Sequence, residues 1–216
     1  MPPQPTPFDN FAVPSESAIA SYSYTDMLQS AGYIIYNIFG LFEGEYGSGT
    51  STFHMANNSP YGYARLLGGN SSSTPIVTEI KSSIFTTPQT IKGTAYIDIA
   101  YKFVVASGGN GKYAEIDGTL YIKNDTTSKN ENLGSFNLYT PVVYNTTKYD
   151  VMSSGIEISE INICKGDYLQ LDIETSAINY TQYGTSGSIY VCADPTSLDT
   201  DQVGTTRIHI PFKINI

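Results

Sequence analysis

The residues that could do chemistry are few and scattered. His54 and His209 are the only two imidazoles in 216 residues. They stand far apart in sequence, and no histidine pair has the spacing that holds zinc. No Gly-x-Ser-x-Gly elbow presents a nucleophilic serine, and no Gly-Lys-Ser/Thr loop cradles phosphate. Paired carboxylates are a further option, because glycoside hydrolysis needs only two. Glu43 and Glu45 flank Gly44, and Glu115 and Asp117 share one phase of a strand pattern. Both sets fall on solvent phases, where an exposed carboxylate is the default. Asp194, Asp199 and Asp201 crowd one loop between Ala193 and Gly204. Oxygen-rich loops hold Ca²⁺, so these three form the candidate metal site, with calcium as the only cofactor suggested; their spacing is not that of an EF-hand.

Two other residue types carry covalent chemistry. Acceptor motifs for N-glycosylation start at Asn57, Asn70, Asn124, Asn145 and Asn179. A chain this rich in Asn, Ser and Thr gives several by chance, and turns are where Asn falls in any case. Cys164 and Cys192 are too few for a disulfide scaffold. Both lie on the polar phase of their strands, and a cross-sheet bridge and two free thiols both stay open.

The elements that must position these residues are strands. Ile97, Ile99, Tyr101, Phe103 and Val105 alternate with Tyr96, Asp98, Ala100 and Lys102. After Gly108-Gly109-Asn110-Gly111, the residues Ala114, Ile116, Leu120 and Ile122 alternate with Glu115, Asp117, Thr119 and Lys123. Period two on both arms predicts a hairpin. Tyr33 to Phe39 is apolar, β-branched and aromatic, and Gly40 interrupts it, which predicts a buried strand with a bulge. Lys165-Gly166-Asp167 reads as a tight turn feeding Leu169, Leu171 and Ile173. The last strand carries Ile208, Ile210, Phe212, Ile214 and Ile216 on one phase. Pro211 cannot donate to a ladder, so this strand is expected at an edge or with a bulge. The total is about ten strands, at the spacing of a sandwich or barrel.

Composition narrows the function. Charged residues are 14% of the chain, against about 25% in typical domains. The surface is therefore made of uncharged polar groups, which are cheap to desolvate in contacts with neighbours. Net charge is −9, with 11 Lys and Arg and no basic run. Nucleic-acid binding needs clustered cations, so no nucleic-acid partner is expected. No run approaches the roughly 18 apolar residues of a membrane helix, so no membrane partner is expected. The start, Met1-Pro2-Pro3-Gln4-Pro5, lacks the basic and apolar parts of a signal peptide, which predicts synthesis in the cytosol. Residues 1–17 are Pro-rich and aperiodic and predict an extended arm that lies on a neighbouring subunit, as a tether, or in a groove of its own domain. Residues 18–216 form the expected β domain.

The C-terminal third resembles a family of viral proteins. The run Ile163-Cys164-Lys165-Gly166-Asp167-Tyr168-Leu169-Gln170-Leu171-Asp172-Ile173 and the closing Ile208-His209-Ile210-Pro211-Phe212-Lys213-Ile214 are similar to the final strands of jelly-roll modules in capsid decoration proteins, minor capsid proteins and fibre knobs. The resemblance implies a structural role in a virion and assembly as a homotrimer. It brings no catalytic residue.

The expected fold is thus all-β: an antiparallel β-sandwich of jelly-roll type with an extended N-terminal arm. The expected function is a structural component of a virus particle, acting through subunit–subunit contacts with its own copies and with other particle proteins, and located on the virion. With no catalytic constellation, the chain is expected not to be an enzyme. An extracellular filament or surface-layer subunit and a carbohydrate-binding module are the alternatives. The 18 tyrosines favour sugar contact, and the lack of tryptophan weighs against it.

Overall fold

The computed structural model describes residues 20–21, 31–43, 50–56, 65–70, 76–105, 111–179, 187–193 and 206–213. The arm over residues 1–17 and the loop carrying Asp194, Asp199 and Asp201 lie outside them. Among the described residues every regular element is a strand. In chain order these are β1 (Ala20–Ser21), β2 (Ala31–Glu43), β3 (Thr50–Ala56), β4 (Arg65–Asn70), β5 (Ile76–Ser82) and β6 (Gln89–Val105). Then follow β7 (Lys112–Asn124), β8 (Lys129–Tyr139), β9 (Thr147–Ile163), β10 (Tyr168–Asn179), β11 (Gly187–Ala193) and β12 (Arg207–Lys213).

One sheet joins them in the order β4-β11-β6-β12-β2-β3-β5-β10-β7-β8, with β1 beside β2 and β9 beside β6. The long strand β6 organises one half. Its residues 89–104 pair with β9, residues 91–98 with β12 and residues 101–105 with β11. A strand has two edges, so β12 and β11 lie end to end on the edge opposite β9. At their junction Ala100 loses a ladder partner. The buried Thr206 fills the gap: its hydroxyl accepts the Ala100 N–H at 3.2 Å, and its carbonyl accepts the Ile38 N–H at 3.2 Å. Such substitution keeps buried backbone groups satisfied. The same device recurs where Ser82 Oγ accepts from Leu169 N and Thr140 Oγ1 accepts from Ala114 N, both at 2.9 Å.

The sheet curls until β8, at the far end, packs its side chains against β9. No ladder joins these two strands among the described residues. The core lies inside the curl. Ile97, Ile99, Tyr101 and Phe103 of β6 meet Ile116, Leu120 and Ile122 of β7 and Leu169, Leu171 and Ile173 of β10, all within one cluster. Full burial of each such side chain contributes about 1.5–3 kcal/mol. Glycine enables the closest approach at the seam. Gly134 has φ +144°, and a Cβ there would stand 2.3 Å from Ile156 Cγ2.

The all-β expectation holds, and the antiparallel one is corrected. β3 and β5 run parallel, with Phe53 opposite Ile80, so the sheet is mixed. The chain between them makes a crossover through β4, which pairs with β11, and a crossover is what parallel neighbours require. The expected hairpin across residues 106–111 is also corrected. β6 and β7 do not pair; β7 pairs with β8 and β10. Alternation marks inner and outer faces, and both strands have them, but it does not choose partners. The tight hairpin is β7–β8, closed by Asn124 Oδ1 accepting from Thr126 N and Thr127 N at 3.0 and 3.1 Å. β2 runs through Gly40 with no shift of register against β3, so the bulge expected there is absent. Pro211 does sit at a register shift between β12 and β6, and it faces Gly93 at φ +116°.

Candidate functional site

The outer face of β6, β9 and β12 gathers polar groups from three distant stretches of chain. Because β6 turns Ile97, Ile99 and Tyr101 inward, Tyr96 and Asp98 face outward. Register then sets two rows across the sheet. One row is Ser153, Asp98 and Arg207, and the next is Gly155, Tyr96 and His209. A third pair follows, in which the Thr94 hydroxyl donates to Glu157 Oε1. Beyond it Glu160 takes Lys92 at 3.1 Å and Lys213 at 3.4 Å.

Asp98 is the hub. Ser153 Oγ donates to its Oδ1 at 2.6 Å. Arg207 Nε lies 3.8 Å and His209 Nε2 3.4 Å from its Oδ2. The His209 contact has ion-pair distance without hydrogen-bond alignment, and its buried Nε2 has no hydrogen-bond partner. Serine, histidine and aspartate are therefore together, but wired differently from a hydrolytic triad. There the imidazole stands between hydroxyl and acid and takes the proton. Here the carboxylate stands between, and the Ser153 proton points at Asp98. The group is arranged to present charges and hydrogen-bonding groups, without an activated serine.

A second polar cluster is buried. Asp167, 1% exposed, closes the Lys165-Gly166-Asp167 turn that the sequence predicts. Its carboxylate accepts from Lys129 Nζ at 2.7 Å, Asn124 Nδ2 at 2.9 Å and Cys164 N at 2.9 Å. Burial alone would raise its pKa; the Lys129, Asn124 and Cys164 hydrogen bonds outweigh that and hold it below the usual carboxylate value. Tyr168 beside it donates to Asp125 at 2.7 Å, and burial together with that bond pushes its hydroxyl up to about 12. This cluster pins the β7–β8 turn to the turn before β10.

The other sequence candidates are dispersed. Glu115 and Asp117 lie on the outer face of β7, half-buried, and the Asn137 amide donates to both. Glu174 stands opposite Asp117, and Asp172 opposite Glu79. His54 lies on β3, away from His209 on β12. Cys164 is an exposed free thiol. Asn124 is withdrawn as a glycan acceptor, since it is 6% exposed and its amide is committed to Asp167. Among the described residues no three His, Cys, Asp or Glu side chains converge to hold a metal. Sequence reading placed Tyr96 and Asp98 on a polar strand phase but missed their joining with Ser153 and Arg207. The alternation signal was present; the register between three strands was not.

No protein-family model matches the chain, and no curated protein matches it. Similar solved structures exist. An aminopeptidase from a marine sediment archaeon, Thaumarchaeota archaeon, aligns with TM-score 0.54 and 9% identity over 86% of this chain and 37% of its own. A CocE/NonD family hydrolase from Staphylococcus aureus aligns with TM-score 0.40 and 8% identity over 81% of this chain and 41% of its own. Infectious bursal disease virus, Gx strain, aligns with TM-score 0.25 and 10% identity over 82% of this chain and 43% of its own. The chain thus spans 37% of the length of the aminopeptidase. The aminopeptidase likeness corrects the expectation that the chain is not an enzyme. The same fold is part of a hydrolase, so missing motifs in this stretch do not exclude the chain from one.

Proposed function

We propose that the chain is a structural component of an assembled particle of viral type, acting through subunit–subunit contacts, with its curled sheet serving as a jelly-roll-like module. The observation that carries this reading is the edge of β9 away from β6, which no ladder takes up among the described residues although β8 packs beside it. This strand is 17 residues long and pairs only with β6 among the described residues. A long unpaired edge is a template for another chain. The surface supports the same reading, since only 14% of residues carry charge and neutral polar groups desolvate cheaply. Val151, 39% exposed on β9, adds apolar area.

Light scattering of the native chain at several concentrations tests it. A closed trimer would have three times the 23.5 kDa of one chain, and Val151→Lys, a charge on the edge strand, should shift the population towards single chains. A monomer at every concentration would refute the proposal.

The aminopeptidase likeness favours a second reading, in which the chain is the β module of a longer hydrolase. An intact mass of the native protein well above 23.5 kDa, with aminopeptidase activity of that longer form, would select it.

A further inference from the structure

We propose that the outer face of β6, β9 and β12 around Tyr96 is a binding site for a neutral saccharide. Tyr96 is 48% exposed although it lies on the central strand of this face. The reason is its cross-strand neighbour, Gly155, which has no side chain to cover the ring. The Thr94 methyl, at 3.1 Å, and the ring, with Cδ1 and Cε1 both at 3.9 Å, share the space where a Gly155 Cβ would be. Tyr33 supports the ring from the other side, with ring centroids 6.0 Å apart and planes tilted by 42°. The ring is therefore flanked on one side and has apolar area open to solvent.

Polar groups fringe the ring on both sides. Asp98, with Ser153 and Arg207, lies two residues along the strand in one direction, and Thr94 with Glu157 lies two residues in the other. A rise of about 3.3 Å per residue puts each row roughly 7 Å from Tyr96. A sugar ring has an apolar C–H face and a rim of hydroxyls. Its face suits the aromatic platform, and its rim suits acceptors and donors already held by mutual hydrogen bonds. Other ligand classes fit worse. Asp98 and Glu157 repel phosphates, and the chain carries −9 overall. A flat protein surface would have to desolvate charged pairs close to the aromatic centre, where interfaces are depleted of charge. A neutral polyhydroxylated ligand satisfies the charged groups without a counter-charge.

The site does not rest on the assembly reading, and its test is separate. The labelled full chain is applied to an array of neutral and anionic glycans. The best neutral binder is then titrated into isotopically labelled protein by NMR. Binding of neutral glycans is expected, with shifts centred on Tyr96, Thr94 and Asp98. Tyr96→Ala should weaken affinity at least about tenfold, and Gly155→Val, which fills the space beside the ring, should do the same. Tyr139→Ala, at a tyrosine 58% exposed on β8, should leave affinity within about twofold. No glycan bound above background would overturn the proposal. So would binding whose shifts map elsewhere on the unmodified chain, a measurement that does not depend on the variants folding.

Discussion

Replacing Asp167 by alanine should destabilise the fold by about 3 kcal/mol, through loss of a buried charged acceptor. The carboxylate is 1% exposed and accepts three hydrogen bonds, from Lys129, Asn124 and Cys164. Hydrogen bonds to charged groups contribute about 1.5–3 kcal/mol each before the cost of burying the charge. Truncation leaves the Asn124 amide and the Cys164 N–H without this acceptor, at about 1 kcal/mol or more each. Lys129 is treated differently. Its side chain is 25% exposed, so it can turn to water, and its share falls towards the surface range of about 1 kcal/mol. The total is near 3 kcal/mol. For a chain of this size that lowers Tm by about 6–12 °C in circular-dichroism melts at neutral pH. The loss should shrink in acid. The folded-state pKa of Asp167 is depressed, so its stabilisation is present above the unfolded value of about 3.9 and disappears as pH falls through the folded value. A Tm within about 1 °C of the parent at neutral pH would refute the assignment of this cluster as the pin between the two turns.

Three further outcomes follow from named contacts. Gly134→Ala should cost about 2 kcal/mol or more, since it combines a strained φ of +144° with a Cβ 2.3 Å from Ile156 Cγ2. In an Ile156→Ala background the cost should drop by about 1 kcal/mol, and urea unfolding of the four proteins in that cycle measures it. Lys112→Met should raise stability by about 1 kcal/mol at pH 7, because Lys112 is 4% exposed and burial lowers its pKa. The parent should regain ground as pH rises from the depressed folded value towards the unfolded one near 10.4, and a Met variant less stable at pH 7 would contradict this. The parent should also lose stability below about pH 4, where Asp150, held down by its bonds from Lys148 and Val151 N, and Glu160, held down by Lys92 and Lys213, take up protons together with Asp167. A pH series of melts that stays flat down to pH 2 would oppose that (about two units below those carboxylates' ordinary range).

The sequence by itself determined the faces of the strands with clean alternation. Period-two alternation in β6, β7 and β12 separated Ile97, Ile116 and Ile208 from Asp98, Asp117 and His209, and the burial of these side chains follows it. The Lys165-Gly166-Asp167 turn was legible because Gly166, at φ +95°, and a capping Asp are local chemistry. The shift at Pro211 was legible because a missing N–H is a property of one residue. Pairing was not legible. A strand carries the same donors and acceptors on both edges, so alternation sets which side chain points inward and leaves open which strand lies beside it. That is why β6 and β7, joined by a glycine-rich stretch of sequence, part company, and why β3 and β5 meet in parallel across a crossover. The candidate site followed the same division. Tyr96, Asp98 and His209 were already assigned to outward phases, but only the register of β9 and β12 on β6 brought Ser153 and Arg207 to Asp98 and set Gly155 beside Tyr96. Register is fixed by the whole core closing at once, and no single stretch of chain encodes it.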